Sequence, residues 1–218
     1  MKKITRYLET TEGKFIGGLG IIIVLLFAYY FYAIGNATET PGTNVTLTEK
    51  DHVHGAEGGS VTLVEFGDFQ CPACGAYEPI VREVAARNPE TMKFVFRHFP
   101  LTQIHPNALL AAKASEAAGV QGKFWEMHDM LYDVQKDWAG SLNARDMFVT
   151  YAKNLGLDVK KFTSDLNNEE IETKILAEYK EGVNLGVQGT PTFFVNGKKI
   201  ESPKSIEAFD QIIKDAAK

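Results

Sequence analysis

The chain has only two cysteines among 218 residues, so it cannot be a small domain stapled by a disulfide framework. Basic charge is not in excess. Lys and Arg number 23 against 28 Asp and Glu, a net charge of −5, which argues against a nucleic-acid partner. Histidine is sparse, at five residues. His52 and His54 have no further ligand nearby, and structural zinc usually takes four, so the pair reads as part of a solvated linker and no metal is expected. At 44% hydrophobic and 23% charged, the composition is that of an ordinary globular protein, with room for one sizeable domain plus attachments.

Charge is absent altogether from residues 15–34, an apolar run of twenty residues. A helix of about 20 residues spans a bilayer core, so this stretch reads as one N-terminal transmembrane helix. Tyr29, Tyr30 and Tyr32 gather at its far end, where aromatic rings favour the membrane interface. Lys2, Lys3, Arg6 and Lys14 precede it, and no basic residue lies between it and Lys50. The expected layout is a cytoplasmic N-terminus over 1–14, a single-pass anchor over 15–34, a tether over 35–54 and an extracytoplasmic domain over 55–218. A cleaved signal peptide, with Gly35-Asn36-Ala37 as its cleavage site, is the alternative, and gives a secreted form of the same domain.

The two cysteines form Cys71-Pro72-Ala73-Cys74, directly after an apolar run from Ser60 to Phe66 that reads as a buried strand. Pro72 to about Arg87 reads as a helix, with Pro at a favoured first position, Pro79 inside it, and Tyr77, Ile80, Val81 and Val84 on one face. Cys71 thus falls at a helix N-terminus, where free backbone N–H groups and the helix dipole favour a thiolate. Cys74 lies one turn on, within reach of a disulfide. Glu65 is a carboxylate inside the apolar run, on the same strand face as Val61 and Leu63. It is either a partly exposed strand-end residue or a proton acceptor beneath the buried thiol, since an unpartnered buried carboxylate is costly.

Met92 to Phe99 reads as a second strand, parallel to the first across the helix. A helical block follows over about 105–185. It comprises Ala108–Ala118 capped by Asn107, Lys123–Val134, Asn143–Leu155, Asp158–Leu166 and Asn168–Leu185. His98 and His128 read as core or surface polar groups rather than catalysts. Thr192–Val195 and Lys198–Ile200 are two short strands joined by Asn196-Gly197, a strong hairpin signal, and Ser205 to about Ala216 is an amphipathic helix. The order β-α-β, helical block, ββα predicts an α/β protein with a four-stranded mixed sheet: a thioredoxin fold with an all-helical insertion.

The chain resembles the DsbA-type thiol–disulfide oxidoreductases, in their membrane-anchored or secreted bacterial forms, from about Lys50 onwards. The resemblance rests on Val64-Glu65-Phe66-Gly67-Asp68-Phe69-Gln70-Cys71-Pro72-Ala73-Cys74, Phe96-Arg97-His98-Phe99-Pro100-Leu101, Gln121-Gly122-Lys123-Phe124-Trp125 and Val187-Gln188-Gly189-Thr190-Pro191-Thr192 with the hairpin behind it. It implies a cis Pro191 whose loop faces the disulfide, and Cys71 as the exposed, attacked sulfur. It also implies that Cys74 is the buried partner, and that Glu65 is the acid assisting its proton transfer. Thr190, Pro191, Pro72 and Ala73 are then the residues that meet the client. The implied activity is the introduction of disulfides into reduced, unfolded client proteins, with reoxidation by a quinone-linked membrane protein of the DsbB type and no cofactor in this chain. Pro72-Ala73 departs from the Pro-His of strongly oxidising members, so a reductase or isomerase of the same fold is the alternative. A membrane-tethered metal-binding module using the thiols is another.

Overall fold

The computed structural model describes residues 25–29, 44–56 and 58–218. The chain divides into two units, residues 1–40 and 41–218. In the first, 25–29 are helical. The rest of the expected span over 15–34, and most of the tether, lie outside the described residues. Among the described residues, no helix is long and apolar enough to cross a membrane.

The second unit is built on a sheet with order β1-β3-β2-β4-β5. Its strands are β1 (His52–Gly55), β2 (Val61–Gly67), β3 (Met92–His98), β4 (Thr192–Val195) and β5 (Lys198–Ile200). β2 and β3 run parallel, joined by α1 (Pro72–Arg87), and the other pairs are antiparallel. β2 is covered on both faces, which is why it reads as a near-continuous apolar run. Val61 and Leu63 enter the large core on one side, while Val64 and Phe66 enter a smaller cluster with Val45, Val95 and Phe194 on the other. Asn196 and Gly197 have φ of 47° and 82°, the paired left-handed geometry that a two-residue hairpin requires. The last helix, α8 (Ile206–Ala216), starts at Ser205, whose hydroxyl accepts from the Ala208 N–H at 3.2 Å.

The insertion contains α2 (Ala108–Gly119), α3 (Phe124–Asp133), α4 (Gln135–Trp138), α5 (Ala144–Asn154), α6 (Val159–Asp165) and α7 (Glu169–Asn184). Trp138 is fully buried beneath it, with its indole N–H on Leu131 O at 2.8 Å and its ring edge-on to Phe148. His98, at the end of β3, and His128, in α3, are both buried.

Three expectations need correction. Among the described residues the sheet has five strands rather than four, because the end of the expected tether forms β1. Arg97, buried in β3, donates through Nε and Nη2 to the two carboxylate oxygens of Asp51, both at 2.8 Å, and through Nη2 to Thr46 O at 2.7 Å. That bidentate grip sets His52–Gly55 against the β3 edge. Second, His52 is no linker residue, since its Nε2 lies 3.0 Å from Glu116 Oε1, which His98 and Lys174 also meet. Third, Asn107 makes no side-chain cap to α2; its amide donates instead to Ser141 O at 2.9 Å, crossing the insertion.

Candidate active site

Cys71 is the residue before α1, with extended backbone (φ −69°, ψ 122°), and Pro72 starts the helix. The Thr190–Pro191 peptide is cis, as the resemblance implies, and brings the Thr190 carbonyl to the first thiol. Cys71 Sγ–H donates to Thr190 O at 3.4 Å. β2, α1 and the loop before β4 therefore converge on one sulfur. Pro72 and Ala73 are exposed beside it, while Thr190 and Pro191 are half-buried, so the four expected client-facing residues flank the thiols. The expectation of an exposed Cys71 is met only in relative terms: 7% of the residue is accessible, against 0% for Cys74.

The two thiols are driven apart chemically. Cys71 is lowered from an ordinary 9.0 to about 5. The hydrogen bond from the Cys74 thiol is the main cause, opposed by burial and helped by the backbone N–H groups of Cys74 and Ala73. The neighbouring thiol does more than the helix terminus to which the sequence points. Cys74 is pushed well above its ordinary value by burial first and by Cys71 second.

Glu65 lies on the Val61–Leu63 face of β2, inside the same core, and is 3% exposed. Burial raises its carboxyl to about 8, with the charges of Glu78 and Cys71 adding to the effect. This selects the buried reading of Glu65 over the exposed strand-end reading. Glu78, one turn beyond Cys74 on α1, is raised to about 7 by burial, against the pull of Arg82. Glu65, Glu78 and His128 all border one cavity of about 290 Å³. Glu78, His128 and Asp129 bring ligand-type atoms within 4.8 Å of one another and could hold a cation. Arg82 already supplies positive charge there, 2.8 Å from Glu78 Oε1 and 3.7 Å from Asp129 Oδ1.

Several supporting residues were not singled out in the sequence. Asp68 accepts from the Gln70 and Leu101 N–H groups at 2.7 and 2.9 Å and from His105 Nδ1 at 2.6 Å, locking the turn before Cys71 to the loop after β3. Gln70 Oε1 accepts from the Asn107 N–H at 2.6 Å. Gln135 Nε2 donates to Phe69 O at 2.7 Å and Cys71 O at 2.9 Å. The only early signal was position: Asp68 and Gln70 lie inside the motif around the thiols, and His105 opens the insertion.

Residues 47–215 match the family model described as Thioredoxin. Among curated proteins, the chain is 44% identical over 169 residues to a Na(+)/H(+) antiporter NhaA 1 of Salinispora arenicola, covering 77% of this chain and 25% of that protein. It is 41% identical to NhaA 3 of Salinispora tropica over 168 residues, with the same two shares. The chain thus spans about a quarter of the length of these relatives. A thioredoxin-like oxidoreductase from Silicibacter pomeroyi superposes with a TM-score of 0.66 at 26% identity, over 78% of this chain and 93% of the other. Oxidised BdbD from Bacillus subtilis gives 0.69 at 24%, over 77% and 92%. Alpha-DsbA1 of Wolbachia pipientis gives 0.71 at 19%, over 79% and 94%, and at this identity shows a shared fold alone. The chain belongs to the thioredoxin family, and its fold is that of the DsbA-type thiol–disulfide oxidoreductases within it.

Proposed function

We propose that the protein introduces disulfides into secreted or surface proteins by thiol–disulfide exchange outside the cytoplasm. The observation that carries this reading is the opposed placement and chemistry of the two thiols: Cys71 at the helix start, lowered to about 5 by the Cys74 thiol and the N–H groups there, and Cys74 buried with its proton held tightly. A stabilised Cys71 thiolate favours the reduced form of the pair, which makes the disulfide an oxidant.

The reaction starts from the Cys71–Cys74 disulfide. A client thiolate attacks Cys71 Sγ; the Sγ–Sγ bond breaks and Cys74 leaves as a thiolate. Glu65, whose burial favours the protonated carboxyl, gives Cys74 the proton that its buried site demands. The client's second thiolate then attacks the client sulfur of the mixed disulfide, and Cys71 leaves as a thiolate that its surroundings stabilise. Two electrons pass from the client dithiol to the pair. The client segment docks as an added strand on the Thr190–Pro191 loop, next to Pro72 and Ala73.

Reduced, unfolded proteins are the clients in this reading, and a DsbB-type quinone-linked membrane protein restores the disulfide. The uncharged run over 15–34 anchors the domain to the membrane with residues 55–218 outside, or is removed to give a secreted form. The antiporter named in the curated relatives belongs to proteins four times as long as the match, and the chemistry proposed for this chain rests on its own thiols. Reoxidation of reduced, unfolded ribonuclease by the oxidised domain tests the reading. Ribonuclease activity returns with the wild type and not with Cys71→Ser; equal recovery with the variant would refute the mechanism.

A further inference from the structure

α4 is four residues long, and Gln135 opens it. The Gln135 amide reaches out of the insertion and bridges two carbonyls of the active-site turn, Phe69 O and Cys71 O. Cys71 O also accepts the Gly75 N–H at 3.1 Å, the first hydrogen bond of α1. A second arm runs the other way. Gln70 Nε2 donates at 2.6 Å to Ala139 O, the residue just past α4. Phe69, Gln70 and Cys71 are therefore each held by the same short piece of the insertion.

Position 75 is fitted to this contact. A Cβ there would lie 2.6 Å from Gln135 Oε1 and 3.1 Å from its Cδ, so any side chain at 75 would displace the amide. A glycine in the first turns of a helix costs about 1 kcal/mol relative to Ala. Close approach of Gln135 is a reason for one at this position.

We infer that Gln135 is a positioning residue for the Cys71 thiolate: by gripping the Phe69 and Cys71 carbonyls it fixes the peptide that begins α1, and so the orientation of the N–H groups presented to the sulfur. The insertion then takes part in setting the redox poise of the thiols, beyond covering the sheet. This inference rests on the redox reading above and names one more residue of the same site.

Three variants test it: Gln135→Ala, Gly75→Ala and the pair together. Gly75→Ala displaces the amide and breaks the contact while keeping the glutamine in the chain. Each is read by the thiolate titration of Cys71 and by the equilibrium of the thiols with glutathione, and thermal unfolding of the oxidised form monitors stability separately. Each single variant raises the Cys71 titration midpoint and moves the glutathione equilibrium about fivefold toward the disulfide, the scale of one hydrogen bond. The double variant moves it no further than either single one, because both remove the same contact. A Gln135→Ala protein with unchanged titration and equilibrium, altered only in thermal stability, overturns the inference and leaves the redox reading standing. A wild type that does not exchange with glutathione overturns both.

Discussion

Cys71, just before α1, and Cys74, in its first turn, occupy opposite surroundings. Around Cys71 are hydrogen-bond donors, the Cys74 thiol and the N–H groups of the helix start, and the sulfur is lowered to about 5. Around Cys74 are apolar core and two neighbours that carry or can carry negative charge, Glu65 and Cys71, and its thiol is held well above 9.0. The lesson is that one helical turn suffices to separate a leaving group from a proton-bound partner, provided that the sheet beneath is closed to water. The same contrast sets the direction of pH dependence. Cys71, depressed in the folded reduced protein, contributes stability that is present above 9.0 and is lost as pH falls through about 5. Glu65, raised in the folded protein, contributes stability that is present below 4.5 and is lost as pH rises through about 8.

Removing the Glu65 charge breaks the comparison most visibly. In wild-type protein, urea unfolding at a series of pH values loses on the order of 3 kcal/mol between pH 4.5 and 7 through this one group, and Glu65→Gln removes that loss. The variant also slows release of Cys74 during client attack, since its proton donor is gone. Parallel pH profiles for wild type and variant would show that Glu65 is not the buried acid. Glu78→Gln sharpens the comparison by a smaller step. It deletes the charge that ranks second in raising Glu65, so the Glu65 midpoint moves below 8, an effect under about 1 kcal/mol that carboxyl NMR resolves. No movement would mean that the Glu78 charge does not act on Glu65.

The legible parts of the molecule were those fixed by local rules. Asn196-Gly197 needs left-handed backbone at both positions, which marks the hairpin. The alternation of β2 placed Glu65 on the core face with Val61 and Leu63, and Pro72 marked the start of α1. What escaped was decided by contacts distant in sequence. β1 is four residues long and mostly exposed, with no apolar alternation to announce it; its place comes from Arg97 holding Asp51 across 46 positions. Asn107 has the composition of a helix cap, and the competing carbonyls of Trp138, Ala139 and Ser141 took its amide instead. Gln135 meets the Cys71 carbonyl across 64 positions, and a lone glutamine in a helical block carries no mark of that. The fold and the two sulfurs were therefore readable from sequence, whereas the polar frame that holds them was not.

The central claim is the inequality of the two thiols, and ultraviolet titration of thiolate absorbance in the reduced wild-type domain, with Cys71→Ser and Cys74→Ser to assign the steps, measures it directly. One thiolate forming with a midpoint near 5 and assigned to Cys71, with Cys74 still protonated above 9.0, is the predicted result. Two thiols titrating together near 9.0, or a low midpoint that belongs to Cys74, would contradict it.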